Sequence, residues 1–292
     1  VSSSPSARVR PRRSALYIPG SNPRALEKAR TLDADVLILD LEDAVAPEAK
    51  EDARRTVVEV VSARPYGGRE VLVRINGLDT PWGEDDLKAV AALPADGIVL
   101  PKVNSESDVH RVEAALPAAA PALWCMMETP LGVLQALSIA RSSARLCGLI
   151  MGTSDLAKDL RAAHTPDREP FLTALGLCLL AARATGLAIL DGVHLDLQDD
   201  DGFHQSCLQG ARLGFDGKTL IHPRTIATAN ACFSPSAEDV DRARIIVDAF
   251  ENARKEGKGV VVVDGRLVEA LHVEEAVRLL ALNDAIAARK PA

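Results

Sequence analysis

Two acids stand where apolar runs give out. Glu128 follows Ala122-Leu-Trp-Cys-Met-Met127, and Asp155 follows Leu149-Ile-Met-Gly152, each at the point where helical sequence begins. Carboxylates at the ends of successive buried strands can hold a divalent cation through oxygen donors and still leave room for water and a ligand, which suits Mg²⁺. They can equally be helix-start acids that cap free amides and interact with the helix dipole. These two segments alone leave both readings open.

Other residues nearby could share the chemistry. The segment Met151-Gly152-Thr153-Ser154-Asp155-Leu156 runs from a strand into a helix, so the amides of Gly152, Thr153 and Ser154 could receive a substrate carboxylate at a helix N-terminus. Arg74 could neutralise charge on a carbonyl or alkoxide oxygen, with Asp43 holding it in place. The competing reading of Arg74 and Asp43 is an internal ion pair tying two strands together. Zinc fits less well: His194 and His222 lack the close spacing of common zinc sites, no HExxH occurs among the six histidines, and a lone histidine is more often structural.

The elements that must position these groups alternate regularly. Short apolar runs of strand length fall at residues 14–19, 36–43, 71–75, 97–101, 123–128, 146–151, 188–193 and 217–222. Between them lie helical patterns, among them residues 23–32, 47–63, 85–93, 131–140, 171–185 and 201–213. Strands without period-2 alternation imply a parallel sheet covered on both faces. Eight such units predict an α/β fold, a (β/α)₈ TIM barrel over residues 14–233. The doubly wound alternative lacks its fingerprint, since Gly20-Ser-Asn after the first strand is not GxGxxG. Residues 234–292 form an extension: a helical stretch, a hairpin turning at Asp264-Gly265, and a helix over 270–288, together read as a lid or a subunit contact.

In such a barrel the carboxyl ends of the strands carry the active site. Those positions hold Glu42, Asp43, Arg74, Asn76, Lys102, Glu128, Asp155, Asp191, His194 and His222. So many ionisable groups at strand ends favour a reactive site over scattered caps, because a buried charge without a partner is costly.

Composition narrows the function classes. The 292 residues are 47% hydrophobic but only 3% aromatic, so the core is aliphatic. A net charge of -7 and no basic block beyond the N-terminus argue against nucleic acid. No run of about 18 apolar residues suggests a membrane span. Five cysteines without CxxC spacing read as free thiols of a reducing compartment, cytoplasmic or, in a eukaryote, the mitochondrial matrix. Residues 1–13, rich in Ser, Arg and Pro and free of acids, read as a disordered tail or transit-peptide remnant.

The motifs Asp40-Leu-Glu-Asp-Ala-Val45, Val73-Arg-Ile-Asn76, Leu100-Pro-Lys-Val103, Met127-Glu-Thr-Pro130, Met151-Gly-Thr-Ser-Asp-Leu156 and Lys218-Thr-Leu-Ile-His-Pro223 resemble, in order and spacing, the citrate lyase β-subunit-like (CitE-like) branch of the HpcH/HpaI aldolase superfamily. The similarity runs from about residue 14 to the C-terminus. The extension is most similar to malyl-CoA and citramalyl-CoA lyases and malyl-CoA thioesterases. This resemblance implies a Mg²⁺ enzyme, with Mn²⁺ as a substitute, acting on a CoA thioester as a homotrimer or dimer of trimers. It implies Glu128 and Asp155 as metal ligands, Arg74 as the substrate-oxygen arginine and Asp43 as the acid of the second strand. Tyr17, Arg24 and Lys28 fall where relatives approach CoA. It also implies an acid from a neighbouring subunit's lid, at the position of Glu269, where the lyases usually carry Asp.

The leading expectation is cleavage of a 3-hydroxy-3-carboxyacyl-CoA (malyl-CoA, methylmalyl-CoA or citramalyl-CoA) to glyoxylate or pyruvate and acetyl-CoA or propionyl-CoA. Glu at 269 strengthens an alternative, because a displacement of about 1 Å can cost about 100-fold in rate and could set the carboxylate against water. That alternative is hydrolysis of (3S)-malyl-CoA to malate and CoA. A third expectation is a non-catalytic subunit that binds a CoA ester.

Overall fold

A computed structural model describes residues 9–289. Strands β1 (Ser14–Pro19), β2 (Val36–Asp40), β3 (Glu70–Arg74), β4 (Gly97–Leu100), β5 (Ala122–Met127), β6 (Leu146–Met151), β7 (Ala188–Asp191) and β8 (Gly217–Leu220) pair in parallel and in sequence order, and β8 closes on β1. Around them run α1 (Pro23–Lys28), α2 (Lys50–Ser62), α3 (Gly83–Ala91), α4 (Glu106–Ala114), α5 (Pro130–Leu134), α6 (Ala136–Arg141), α7 (Thr153–Leu160), α8 (Leu172–Thr185), α9 (Asp200–Leu213) and α10 (Ile226–Cys232). The expected (β/α)₈ barrel is the fold.

Alternation along the strands separates two apolar layers. Ala15, Val36, Ile38, Leu72, Val99, Trp124, Met126, Ile150 and Leu190 fill the interior, while the intervening residues pack against the helices. The large Trp124 ring fits because Gly148 and Gly97 flank it; a Cβ on Gly148 would come within 2.2 Å of the ring. Arg12 lies 5.1 Å from the same ring, on the side where the strands begin. The barrel is therefore plugged below, and its polar groups gather at the other end.

Some boundaries differ from the sequence reading. The strand expected over 36–43 stops at Asp40, whose carboxylate accepts from the backbone N–H of Glu42 (2.9 Å) and of Ala44 (3.1 Å), turning the chain. The helix expected over 131–140 breaks at Gln135, and β8 ends at Leu220, with His222 capping the short turn that follows. Residues 1–8 of the expected disordered tail lie outside the described residues. Arg12 and Arg13, assigned to that tail, instead pair with Glu70 and Asp35 and form part of the barrel's lower rim; Arg13 holds Asp35 through both its backbone N–H and its guanidinium.

The remaining chain forms a second compact unit, composed of residues 234–289 with 9–11. Ser236 opens α11 (Ala237–Lys255) with a capping box to Asp239. Strands β9 (Val261–Val263) and β10 (Arg266–Val268) make the expected hairpin, and Asp264 and Gly265 both have positive φ, as a two-residue hairpin turn requires. Helix α12 (Ala270–Ala287) packs on α11. No described helix is long and apolar enough to cross a membrane. The five cysteines are unpaired thiols.

Candidate active site at the carboxyl ends of the strands

Register builds the centre of the site. Asp40 on β2 and Arg74 on β3 are paired positions, and both continue the inward-facing rows of their strands. Arg74 donates through Nε to Asp40 Oδ1 (2.7 Å) and through Nη2 to Oδ2 (2.6 Å). Its Nη1 lies 2.8 Å from Glu42 and 3.4 Å from Asp43. Asp43 is thus the weaker hold on Arg74, and the buried Asp40 is the principal one. The Tyr17 ring covers the guanidinium at 4.9 Å, and the Tyr17 hydroxyl donates to Met126 Sδ at 3.4 Å. Burial opposes the charge on Arg74, but Asp40, Tyr17 and Glu42 outweigh it and raise its pKa well above the usual value.

Lys102 joins this pair to the two acids singled out in the sequence. It sits just past β4 with φ +49°, a backbone conformation uncommon for a non-glycine residue. Its backbone N–H donates to Glu128 Oε1 at 2.7 Å. Its ammonium contacts Glu42, lies 3.4 Å from Asp155 Oδ2 and 3.8 Å from Asp43. Glu128, at the end of β5 and 2% exposed, is pushed up to about 7, chiefly by burial, with Arg74 and the Lys102 amide pulling the other way. Glu42 is raised by burial, whereas Asp43 is lowered by Glu42, Arg74 and Lys102 against a burial penalty.

The glycine before α7 has a definite task. A Cβ at Gly152 would lie 2.4 Å from both Cβ and Oε2 of Glu128, so the β6 loop can cross the Glu128 carboxylate only without a side chain. Asp155 then falls in the first turn of α7, partly exposed. Ser154 is exposed, while the Thr153 side chain turns outward against Gly192 after β7.

Five carboxylates, Asp40, Glu42, Asp43, Glu128 and Asp155, therefore meet three cations: Arg74, Lys102 and the buried Lys50, which donates to the Glu42 carbonyl at 2.7 Å and attracts Asp40, Glu42 and Asp43. The carboxylates are hard oxygen donors in excess over the cations, and among the described residues Asp155 pairs with Lys102 alone. That donor set fits Mg²⁺, which completes its shell with water or ligand. Among the described residues no group of three or more His, Cys, Asp or Glu side chains forms a ready metal cage. A groove of about 470 Å³ opens beside the cluster, lined by Glu42, Asn76, Lys102, Asn104, Arg111 and Thr129, among others.

The remaining candidates are placed differently. Asn76 is structural: its amide and backbone N–H bind Asp86, and its Oδ1 accepts from Lys50 Nζ at 2.7 Å. His222 is an exposed cap whose Nδ1 accepts from the Arg224 backbone at 3.2 Å. Arg24 and Lys28 are exposed one turn apart on α1, just past β1. Glu269 belongs to the other compact unit, where it is exposed and starts α12, its N–H donating to His272 Nδ1 at 3.0 Å. Sequence reasoning missed Asp40, although Val36, Ile38 and Asp40 share one strand face. It also missed a second cluster formed by Asp191, Lys218 and Arg168, whose members are joined only by register and helix packing.

Eight parallel strands closed into a barrel, with charged groups gathered at their carboxyl ends, define the class as a (β/α)₈ barrel whose mouth is the candidate active site. The chain belongs to the HpcH/HpaI aldolase/citrate lyase family, which matches residues 13–223. It is 51% identical over 278 residues to a (3S)-malyl-CoA thioesterase of Cereibacter sphaeroides, spanning 95% of this chain and 96% of the relative. The citrate lyase subunit beta of Escherichia coli is 36% identical, with 92% of each chain covered. Among solved structures, protein CitE of Mycobacterium tuberculosis in complex with magnesium, acetoacetate and coenzyme A superposes with a TM-score of 0.76 at 29% identity, covering 93% of this chain and 97% of that one.

Proposed function

We propose that this enzyme hydrolyses the thioester of a 3-hydroxy-3-carboxyacyl-CoA of the malyl type, releasing malate and CoA. The observation that carries the reading is the 51% identity to (3S)-malyl-CoA thioesterase, which extends over 95% of this chain. In this reading Glu128 and Asp155 hold Mg²⁺, or Mn²⁺ in its place, as the acid excess of the mouth supports. The ion supplies Lewis acidity toward substrate oxygens.

The chain's own groups do the rest. Amides of Thr153 and Ser154 at the start of α7 receive the substrate carboxylate; the Gly152 N–H, expected to join them, is taken by the Met127 carbonyl at 3.1 Å. Arg74, held rigid by Asp40 and Glu42 and kept charged, faces negative charge that builds on the carbonyl oxygen. Asp43 orients Arg74 and Lys102. Tyr17 closes one side, and Arg24 and Lys28 offer cations to CoA phosphates. Glu269, brought by a neighbouring copy in a homotrimer or dimer of trimers, takes the proton of the attacking water. The C–S bond breaks, and the thiolate leaves with that proton as CoA.

The lyase reading rests on the family match and on the 36% identity to citrate lyase subunit beta. There a base removes the substrate hydroxyl proton, Arg74 stabilises the alkoxide, the C–C bond breaks, and the acetyl-CoA enolate is protonated near Glu269. Product analysis of malyl-CoA with Mg²⁺ decides between them. Free CoA and malate without glyoxylate support hydrolysis. Glyoxylate with acetyl-CoA overturns it for the lyase, and binding without any product overturns both.

A further inference from the structure

The loop after β2 carries Glu42 and Asp43 into the barrel mouth, and a lysine at the start of α2 reaches back to hold it. Lys50 is only 6% exposed. Its Nζ donates to the Leu41 carbonyl at 2.9 Å, to the Glu42 carbonyl at 2.7 Å and to Asn76 Oδ1 at 2.7 Å. All three partners are acceptors. An ammonium offers three donors and no acceptor, so the group is held as a cation with every N–H used. Nζ also sits over the Trp82 ring, 5.4 Å from its centroid.

The partners of Lys50 are themselves fixed. Asn76 donates through Nδ2 to Asp86 Oδ2 at 2.6 Å and to the Leu41 carbonyl at 2.8 Å, which leaves its Oδ1 for Lys50. Asp86, fully buried, accepts in turn from Arg54 Nε at 2.6 Å. At the other end of the same residue, the Asp40 carboxylate accepts from the Glu42 N–H at 2.9 Å. Glu42 is thus clamped at both of its backbone groups, by the acid that holds Arg74 and by Lys50. Its carboxylate lies 2.8 Å from Arg74 Nη1 and contacts the Lys102 ammonium. The two side-chain cations of the mouth therefore share one carboxylate, and any drift of the loop moves the partner of both.

We propose that Lys50 is a positioning residue for the reaction at the barrel mouth: by holding the Leu41 and Glu42 carbonyls it sets the Glu42 carboxylate against Arg74 and Lys102. Lys50 does not line the groove beside the cluster, so it acts through Glu42 and not on a ligand. A neutral side chain of similar length cannot replace it, because none supplies three donors to three buried acceptors. Burial lowers the Lys50 pKa, and Glu42, Asp40, Asp86 and Asp43 pull it back up, so the acids of the mouth help to keep their own support charged. The inference rests on Arg74 facing the reacting oxygen, which the hydrolysis and cleavage readings share.

A double-mutant cycle separates this role from a tie that only stabilises the fold. Consumption of malyl-CoA with Mg²⁺, whichever products form, is measured for Lys50→Met, Glu42→Gln and the two together. Lys50→Met lowers kcat about 10-fold, as a sub-ångström misplacement of the Arg74 partner would, and leaves KM within about 2-fold. In the Glu42→Gln background the same change lowers kcat by less than about 2-fold, because the group that Lys50 positions is already lost. Lys50→Gln keeps two donors, gives a smaller fall with the same non-additivity, and serves if the methionine variant does not fold. The Arg74 guanidinium gives a readout without substrate: by NMR of protein carrying isotope-labelled arginine, its Nη signals shift and exchange faster with water in Lys50→Met. Losses in kcat that multiply in the double variant, or Arg74 signals that ignore Lys50→Met, overturn the proposal. Native turnover in Arg74→Ala overturns instead the assignment of Arg74 on which it rests.

Discussion

Two buried charge clusters sit at the carboxyl end of the same barrel, and each grows from a register pair of adjacent strands. Asp40 with Arg74 faces the interior; Asp191 with Lys218 faces the helices. Each recruits a cationic residue at positive φ, Lys102 in one case and Arg168 in the other. They differ in balance. The inner cluster has acids in excess and Glu128 raised to about 7; the outer one has more cations than acids. Charge excess in a low-dielectric place is expensive: in the outer cluster burial lowers the Lys218 pKa against the pull of Asp191, whereas the acid excess of the inner site suits a divalent cation.

The sharpest way to break this comparison is to remove one acid from each cluster. Asp191→Ala strands two buried cations and costs about 3–5 kcal/mol of stability, read as a lower urea midpoint. Glu128→Gln relieves acid excess and leaves the midpoint unchanged or higher, while turnover falls about 100-fold or more. If both variants lose stability alike, the two clusters are structural in the same sense. Gly152→Ala comes next: its methyl group must displace the Glu128 carboxylate, which costs about 1–3 kcal/mol in overpacking and about 100-fold in rate by misplacement.

Much of this was legible in the sequence, and the missing part has a physical cause. The eight apolar runs announce the barrel, and the acids that end them mark its mouth. Glu128 and Asp155 stood out because each interrupts a run. Asp40 was hidden inside one, although its place after Val36 and Ile38 on one strand face carried the signal. Of the Arg168–Asp191–Lys218 cluster only Asp191 was legible, as a strand-end acid: Asp191 and Lys218 meet through strand register, and Arg168 arrives from a loop whose path no local pattern fixes. The strain at Lys102 was equally invisible, since a lysine between Pro101 and Val103 does not suggest positive φ.

A smaller effect comes from pH. The folded pKa of Glu128, about 7, lies above that of an unfolded glutamate near 4.3. Between those values the folded chain holds the extra proton, so metal-free stability is greatest at low pH and declines as pH rises toward 7, by on the order of 2–3 kcal/mol. Glu42, also raised, adds to the trend, whereas Asp43, lowered, acts only below about pH 4, outside this window. Mg²⁺ needs the carboxylate, so its apparent affinity falls below pH 7 by up to about tenfold per unit. Urea midpoints and Mg²⁺ titrations from pH 5 to 8 read both slopes, and Glu128→Gln flattens them. A metal-free midpoint that rises through this window contradicts the acid excess.

The smallest change concerns Lys102, whose ammonium reaches both Glu42 and Asp155. Its ammonium is about half exposed and shares Glu42, Asp43 and Asp155, so its attraction is partly screened. In Lys102→Met the backbone N–H still donates to Glu128, which separates the lysine's charge from its role in holding that carboxylate. Removing the charge leaves the acids less neutralised and raises Mg²⁺ affinity about 3- to 10-fold by calorimetric titration. A weaker affinity instead means that the ammonium mainly holds Asp155 in place, and that acid excess alone does not set the preference for a cation.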